Sequence, residues 1–180
     1  MVATILSAQC TDARVNQVTP ALFSRFPDPA SLAGAMPEQV EALIRSTGFF
    51  RNKTASLIGC ARLVVERHQG RVPRSMAELV ALPGIGRKTA NVLLGNAFGI
   101  PGMVVDTHVG RVSRRLGWAA AVGPEGFERE LCVLLPATRW TQTSHVLIRH
   151  GRRCCRAQTA QCSACMVRER CRRVGVVRSR

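Results

Sequence analysis

Lysine is almost missing from this sequence. Of 26 basic residues in 180, only Lys53 and Lys88 are lysines and the rest are arginines. Arginine keeps its proton at any ordinary pH and cannot act as an amine nucleophile, so each retained lysine marks a position to explain. Acid is scarce too, with 11 acidic residues and aspartate only at Asp12, Asp28 and Asp106. The net charge of +15 points to a polyanionic partner. No apolar run approaches the length that crosses a bilayer, and no charged segment followed by an apolar stretch and cleavage site opens the chain. Those absences argue against a membrane span and against a secreted disulfide scaffold, so the eight cysteines are expected in a reducing, cytoplasmic setting. Without a lipidation motif or an amphipathic basic tail, nucleic acid fits the charge better than a membrane, although charge alone would also suit a ribosomal protein.

Nothing in the chain alternates as a half-buried strand does, and there is neither a solenoid repeat nor a low-complexity linker. The expected fold class is all-α. Hydrophobic content of 46% is enough for a core. Met1 to Gln9 starts apolar with no capping residue ahead of it, as though the sequence begins inside a helix. Thr11 and Asp12 can cap a short helix, and Thr19-Pro20 and Asp28-Pro29 each carry the cap-plus-proline signature of a new one. A helix over Pro37 to Ser46 leads through Gly48 into a longer one, where Leu57, Ile58, Ala61, Val64, Val65 and His68 recur at helical spacing until Gly70. Ser75-x-x-Glu78 forms a capping box. Past Gly99, Ile100 to Val105 reads as an extended connection and Thr107 to Leu116 as a helix closed by Gly117. Helical runs over Pro124–Leu135 and Thr141–His150 precede a cysteine loop and a basic tail.

Three stretches carry chemistry. In Leu82-Pro83-Gly84-Ile85-Gly86-Arg87-Lys88-Thr89-Ala90-Asn91, proline and two glycines separate two helical segments. This is a helix-hairpin-helix whose N–H groups, around Gly84 to Arg87, sit at a helix N-terminus and suit a phosphate. On residue type alone, Lys88 there is a phosphate contact or a solvated lysine. Asp106, just before Thr107-His108, is on the same footing an N-cap. Cys155, Cys162, Cys165 and Cys171 follow the spacing C-x6-C-x2-C-x5-C. One loop wrapped around an iron-sulfur cluster fits that spacing; a zinc site, whose usual pattern is two short pairs, is the alternative. Cys154 reads as a bystander, and Cys10, Cys60 and Cys132 as buried thiols.

Together with Val105-Asp106-Thr107-His108 and the early Leu6-Ser7-Ala8-Gln9-Cys10-Thr11-Asp12, these motifs resemble the endonuclease III branch of the helix-hairpin-helix DNA glycosylases, across nearly the whole chain. The resemblance implies a two-lobed fold. Residues 1–100 would form a six-helix lobe with the hairpin, and residues 101–180 a helical lobe with a [4Fe-4S] loop, with the active cleft between them. It also implies an N-terminal helix ahead of Met1 that this sequence does not contain. Lys88 would attack C1′ of a damaged nucleotide and form a Schiff base, and Asp106 would stabilise the cationic sugar. Gln9 would fill the gap left by the flipped nucleotide and Phe49 would wedge the duplex, although Phe49 equally fits a buried core ring. Gly84, Gly86, Arg87 and His108 would meet the DNA backbone. The loop from Arg156 to Gln161 holds one basic residue where the family commonly has more, so that contact is expected to be weak.

The implied activity is base excision repair of oxidised pyrimidines in double-stranded DNA, with cleavage at abasic sites, by a monomer associated with the nucleoid. An adenine-removing mismatch glycosylase is one alternative; it needs a glutamate upstream of the glutamine, and no acidic residue precedes Asp12. A non-catalytic DNA-binding paralogue is the other.

Overall fold

The structure, a computed structural model, describes residues 1–180 and is mostly helical, its only extended pairing being an isolated bridge between Ala160 and Ser179. Ten α-helices follow one another: α1 Val2–Leu6, α2 Asp12–Arg25, α3 Pro29–Ala33, α4 Pro37–Ile44, α5 Phe50–His68, α6 Met76–Val80, α7 Arg87–Ala97, α8 Thr107–Leu116, α9 Pro124–Leu134 and α10 Trp140–Arg153. The chain divides into two compact units, Met1–Leu93 and Leu94–Arg180, with the boundary inside α7.

In the first unit α5 is the axis, packed by α1, α3 and α4. Its buried face is Lys53, Thr54, Leu57, Ile58, Cys60, Ala61 and Val64. These recur three or four apart, which places them along one side of a helix. Val65, expected in the stripe, is instead exposed, because it follows Val64 directly and so points about a quarter-turn away. Leu6, Leu22, Val40, Ile44 and Leu79 complete the core, each almost wholly shielded from solvent.

Asp28 opens α3 as anticipated, accepting from the Ser31 amide at 2.7 Å while Ser31 Oγ answers the Asp28 amide. Thr19-Pro20 does not begin a helix. Thr11 caps a single helix that runs through Pro20 to Arg25. Val15, Val18, Thr19 and Leu22 form one continuous buried stripe across the proline, and burying it outweighs the backbone bond that proline forfeits. The Ser75 box is half made: Ser75 Oγ accepts from the Glu78 amide, while the Glu78 carboxylate turns to the Ser75 hydroxyl instead of its amide.

The second unit encloses Met103, Val105, Val109, Val112, Phe127, Leu131 and Leu147, drawn from the extended 100–105 connection and from α8, α9 and α10. Ser144 fastens the connection to α10, accepting from the Val104 amide at 2.9 Å and donating to the Trp140 carbonyl. Gly117 ends α8 in the left-handed region, φ +78°.

The two hairpin glycines differ in what they require. Gly84 has φ +76°, and a Cβ there would lie 2.8 Å from Ser56 Cβ; Gly86 has an ordinary φ and open space around it. Gly84→Ala is therefore expected to lower unfolding free energy by about 2–4 kcal/mol, combining left-handed strain with overpacking. Gly86→Ala should leave it unchanged or raise it by under ~1 kcal/mol through the unfolded chain. Urea melts of the two variants read this directly.

Candidate nucleic-acid and catalytic site

The hairpin joins α6 to α7 through the main chain. The Leu82 amide donates to Leu79, the Ile85 amide to Leu82 at 3.1 Å, and the Ala90 amide to Gly86 at 2.9 Å, the last opening α7. The residue ahead of Arg87 is Gly86, which has no side chain to cap a helix and has nothing within 4 Å of where a Cβ would stand. An anion fits such a position, which also sits at the positive end of the helix dipole. Lys88 is the second residue of α7 and is exposed.

The other lysine is accounted for differently. Lys53 is 5% exposed, and its Nζ donates to the carbonyls of Leu6 and Thr47, both at 2.9 Å. Burial depresses its pKa, with the Cys10 thiol acting weakly in the other direction. An amine enclosed and doubly engaged in this way is not presented to a substrate. Of the two lysines, Lys88 alone is.

Gln9 and Phe49 share an unusual backbone. Only four non-glycine residues have positive φ, and these are two of them, at +52° and +47°; the others are Gln69 and Arg173. Each is exposed, Phe49 by 64%, which removes the reading of Phe49 as a core ring. A bulky aromatic in the left-handed region costs on the order of 1–3 kcal/mol and persists only where its surroundings impose it.

In the second unit, Asp106 caps α8. Its Oδ1 accepts from the amides of His108 at 2.9 Å and Val109 at 2.8 Å, the arrangement expected of an N-cap. His108 is half-buried, its Nδ1 3.0 Å from Arg111 Nη2. Arg111 also donates to the carbonyls of Gly151 and Cys155, at 3.0 and 3.1 Å. One turn on, the buried Arg115 donates to the carbonyls of Arg156 and Ala157 and to Cys155 Sγ, while Cys171 Sγ donates to the Arg115 carbonyl. Reading the sequence singled out neither arginine. Their spacing carried no signal, since the carbonyls they serve lie about forty positions further along the chain.

Cys155, Cys162, Cys165 and Cys171 all line one small cavity, together with Val112, Leu116 and the arginines Arg115, Arg168 and Arg173. Four thiols on a dry wall, ringed by cations that would offset thiolate charge, form a donor set suited to a soft metal centre. His150 and Cys154 join them, which the sequence reading did not anticipate. The ligand atoms of His150, Cys154 and Cys165 lie within 4.8 Å of one another, and Cys165 Sγ is 3.7 Å from His150 Nε2. His150 and Cys154 stand four apart on α10 and its C-cap, a spacing that brings them to one face. Burial lowers the His150 pKa and, aided by the neighbouring thiols, pushes Cys154 up to about 11, so that Cys154 bonds as a thiol to the Gln161 carbonyl. The chain's tail closes this loop: the Ala160 amide donates to Arg178, Ser163 to Arg180, and Arg180 back to Ala160, at 2.8–3.1 Å. Among the other cysteines, Cys60 is buried, with its pKa raised to about 11 by that burial, whereas Cys10 and Cys132 are only half-buried.

The chain thus holds a glycine hairpin opening a helix, an aspartate-capped helix and a thiol-lined loop, and comparison with known proteins gives the class. Residues 2–137 match the family described as HhH-GPD superfamily base excision DNA repair protein. The chain is 52% identical to endonuclease III of Synechocystis sp. over 95% of its length and 78% of that protein's. It is 39% identical to the endonuclease III of Escherichia coli K12, over 95% of this chain and 81% of the relative. A solved non-covalent endonuclease III–DNA complex superposes with a TM-score of 0.88 at 42% identity, covering 96% of this chain and 81% of that one. The chain belongs to the endonuclease III family, a family of DNA glycosylases and abasic-site lyases. The family and the cysteine cluster together indicate a metal-binding loop.

Arg115→Met should leave the carbonyls of Arg156 and Ala157 without their donor. A loss of about 1–3 kcal/mol of stability is expected, with faster release of bound metal to a chelator. A thermal melt and a timed chelation assay on the purified protein measure the two effects.

Proposed function

We propose that this protein excises oxidised pyrimidines from duplex DNA and cleaves the resulting abasic site, with Lys88 as nucleophile and Asp106 as the carboxylate that stabilises the cationic sugar. The observation that carries this reading is the exposed lysine in the first turn of α7, directly after a glycine hairpin, in a chain of the endonuclease III family. The hairpin amides and Arg87 hold a backbone phosphate, with His108 as a further backbone contact. The net charge of +15 supplies attraction that is independent of sequence and falls as salt rises.

The Lys88 amine forms a bond to C1′ as the glycosidic bond breaks, and the base leaves with the bonding electron pair and takes up a proton. The sugar ring opens to a protonated Schiff base on Lys88. Loss of a 2′ proton then expels the 3′ phosphate, cutting the strand. The Asp106 carboxylate lowers the energy of the cationic sugar on this path while still capping α8. Gln9 occupies the space of the displaced nucleotide and Phe49 props the stack open. The protein acts as a monomer, and the adenine-removing and non-catalytic alternatives are not favoured by the relatives reported above.

Cys155, Cys162, Cys165 and Cys171 would hold a [4Fe-4S] cluster, which fixes the fold of the loop when bound. Protein purified without oxygen should be brown and contain about four iron and four labile sulfide per chain. Stoichiometric zinc with no labile sulfide overturns the assignment.

Borohydride trapping on a thymine-glycol duplex tests the catalytic assignment. Lys88→Gln should abolish the trapped adduct and strand cleavage while keeping most affinity for DNA. Asp106→Asn keeps the Oδ1 acceptor for the His108 and Val109 amides. It should therefore melt within about 1 kcal/mol of wild type yet react slower by roughly 100-fold or more in single turnover. An adduct from Lys88→Gln, or an Asp106→Asn rate that falls only with the folded fraction, removes the corresponding role.

A further inference from the structure

Lys53 has no part in the reaction above, yet it is the one lysine besides Lys88 and is nearly sealed from solvent. Its two partners are main-chain carbonyls, not carboxylates. Leu6 is the last residue of α1 and stands three before Gln9; Thr47 ends the 3-10 turn Arg45–Thr47 and stands two before Phe49. Both carbonyls lie at helical C-termini, where acceptors lack helical partners and the backbone dipole is negative. Thr47 is itself buried, its hydroxyl bonded to the Ile44 carbonyl at 2.8 Å. The Lys53 amide, for its part, bonds the Phe49 carbonyl at 3.0 Å. One side chain thus holds the roots of both segments whose exposed residues sit in left-handed backbone.

We infer that Lys53 is a positioning residue, fixing Gln9 and Phe49 relative to one another so that both meet the duplex as a preset pair. This rests on the insertion roles given to Gln9 and Phe49 above. It also accounts for lysine here in a chain that otherwise uses arginine: a compact ammonium directs separate donors at two carbonyls, where a planar guanidinium needs a wider slot. Loop segments held in place before binding lose less freedom on binding, and strained residues keep their conformation only while their flanks are tied.

The test compares affinity for duplex containing a tetrahydrofuran abasic analogue with affinity for intact duplex, well below the melting temperature of each variant. Lys53→Met fills the space without the donors, and Lys53→Gln retains a shorter one. Lys53→Met should hold intact duplex nearly as wild type does, because the lost charge is buried, but its preference for the abasic analogue should fall roughly tenfold, with Lys53→Gln intermediate. In the double variant with Gln9→Ala, the two losses should be smaller than their product, since both act on one insertion. A folded Lys53→Met with full preference, or losses that simply multiply, overturns the inference, as does failure of both Lys53 variants to fold, which makes Lys53 a folding residue. If Gln9→Ala and Phe49→Ala themselves keep the full preference, the insertion reading falls and takes the inference with it. If they lose it and Lys53→Met does not, only Lys53 is excluded.

Discussion

Every helix begins with amide groups and ends with carbonyls that its own ladder does not pair, and a chain built from many short helices has many such ends. Here they are treated individually. Asp28 and Asp106 close the starts of α3 and α8 with carboxylates, and Lys53 closes the ends of α1 and of the 3-10 turn with one ammonium. Arg111 and Arg115 reach the carbonyls of Gly151, in the last turn of α10, and of Cys155, Arg156 and Ala157 just past its end. The start of α7 is preceded by glycine, which brings no side chain to close it, and that is the position proposed above for a phosphate. What binds DNA and what holds the fold are two uses of the same unpaired backbone groups.

Much of this was legible in the residues, because capping and turn chemistry are local. Asp106 before Thr107, Gly117 after Leu116, Asp28 before Pro29 and the Pro83-Gly84-Ile85-Gly86 turn all stand where their side chains, or the lack of them, require. Reading failed where a tertiary preference prevailed over a local one. Thr19-Pro20 carries a helix-start signature, yet the buried stripe of α2 passes through it. The ambiguity of Phe49 had the same origin: an aromatic beside a glycine fits a core or a surface equally, and only its 64% exposure decides. The arginines and His150 escaped notice because their partners are main-chain carbonyls and thiols about forty or fifteen positions away, and sequence spacing does not encode such pairings.

Asp106 shows why two readings of one residue need not compete. A cap uses one carboxylate oxygen, and both amides converge on Oδ1. The cap also fixes the side-chain torsions, so a catalytic role gains a carboxylate whose orientation is set before substrate arrives. Gln9 and Phe49 illustrate the converse, since a conformation unfavourable in isolation is retained by a tie placed a few residues back in the chain.

The bridge between Ala160 and the strand-like tail bears on the order of biosynthesis. The residues that latch the cysteine loop, Arg178 and Arg180, are translated after all eight cysteines, and their bonds run back to Ala160 and Ser163. While the ribosome still holds the tail, the thiols are present but their enclosure is not. The latch therefore forms only once residues 178–180 have emerged, and until then the loop carries its four cysteines without the backbone bonds that tie it down.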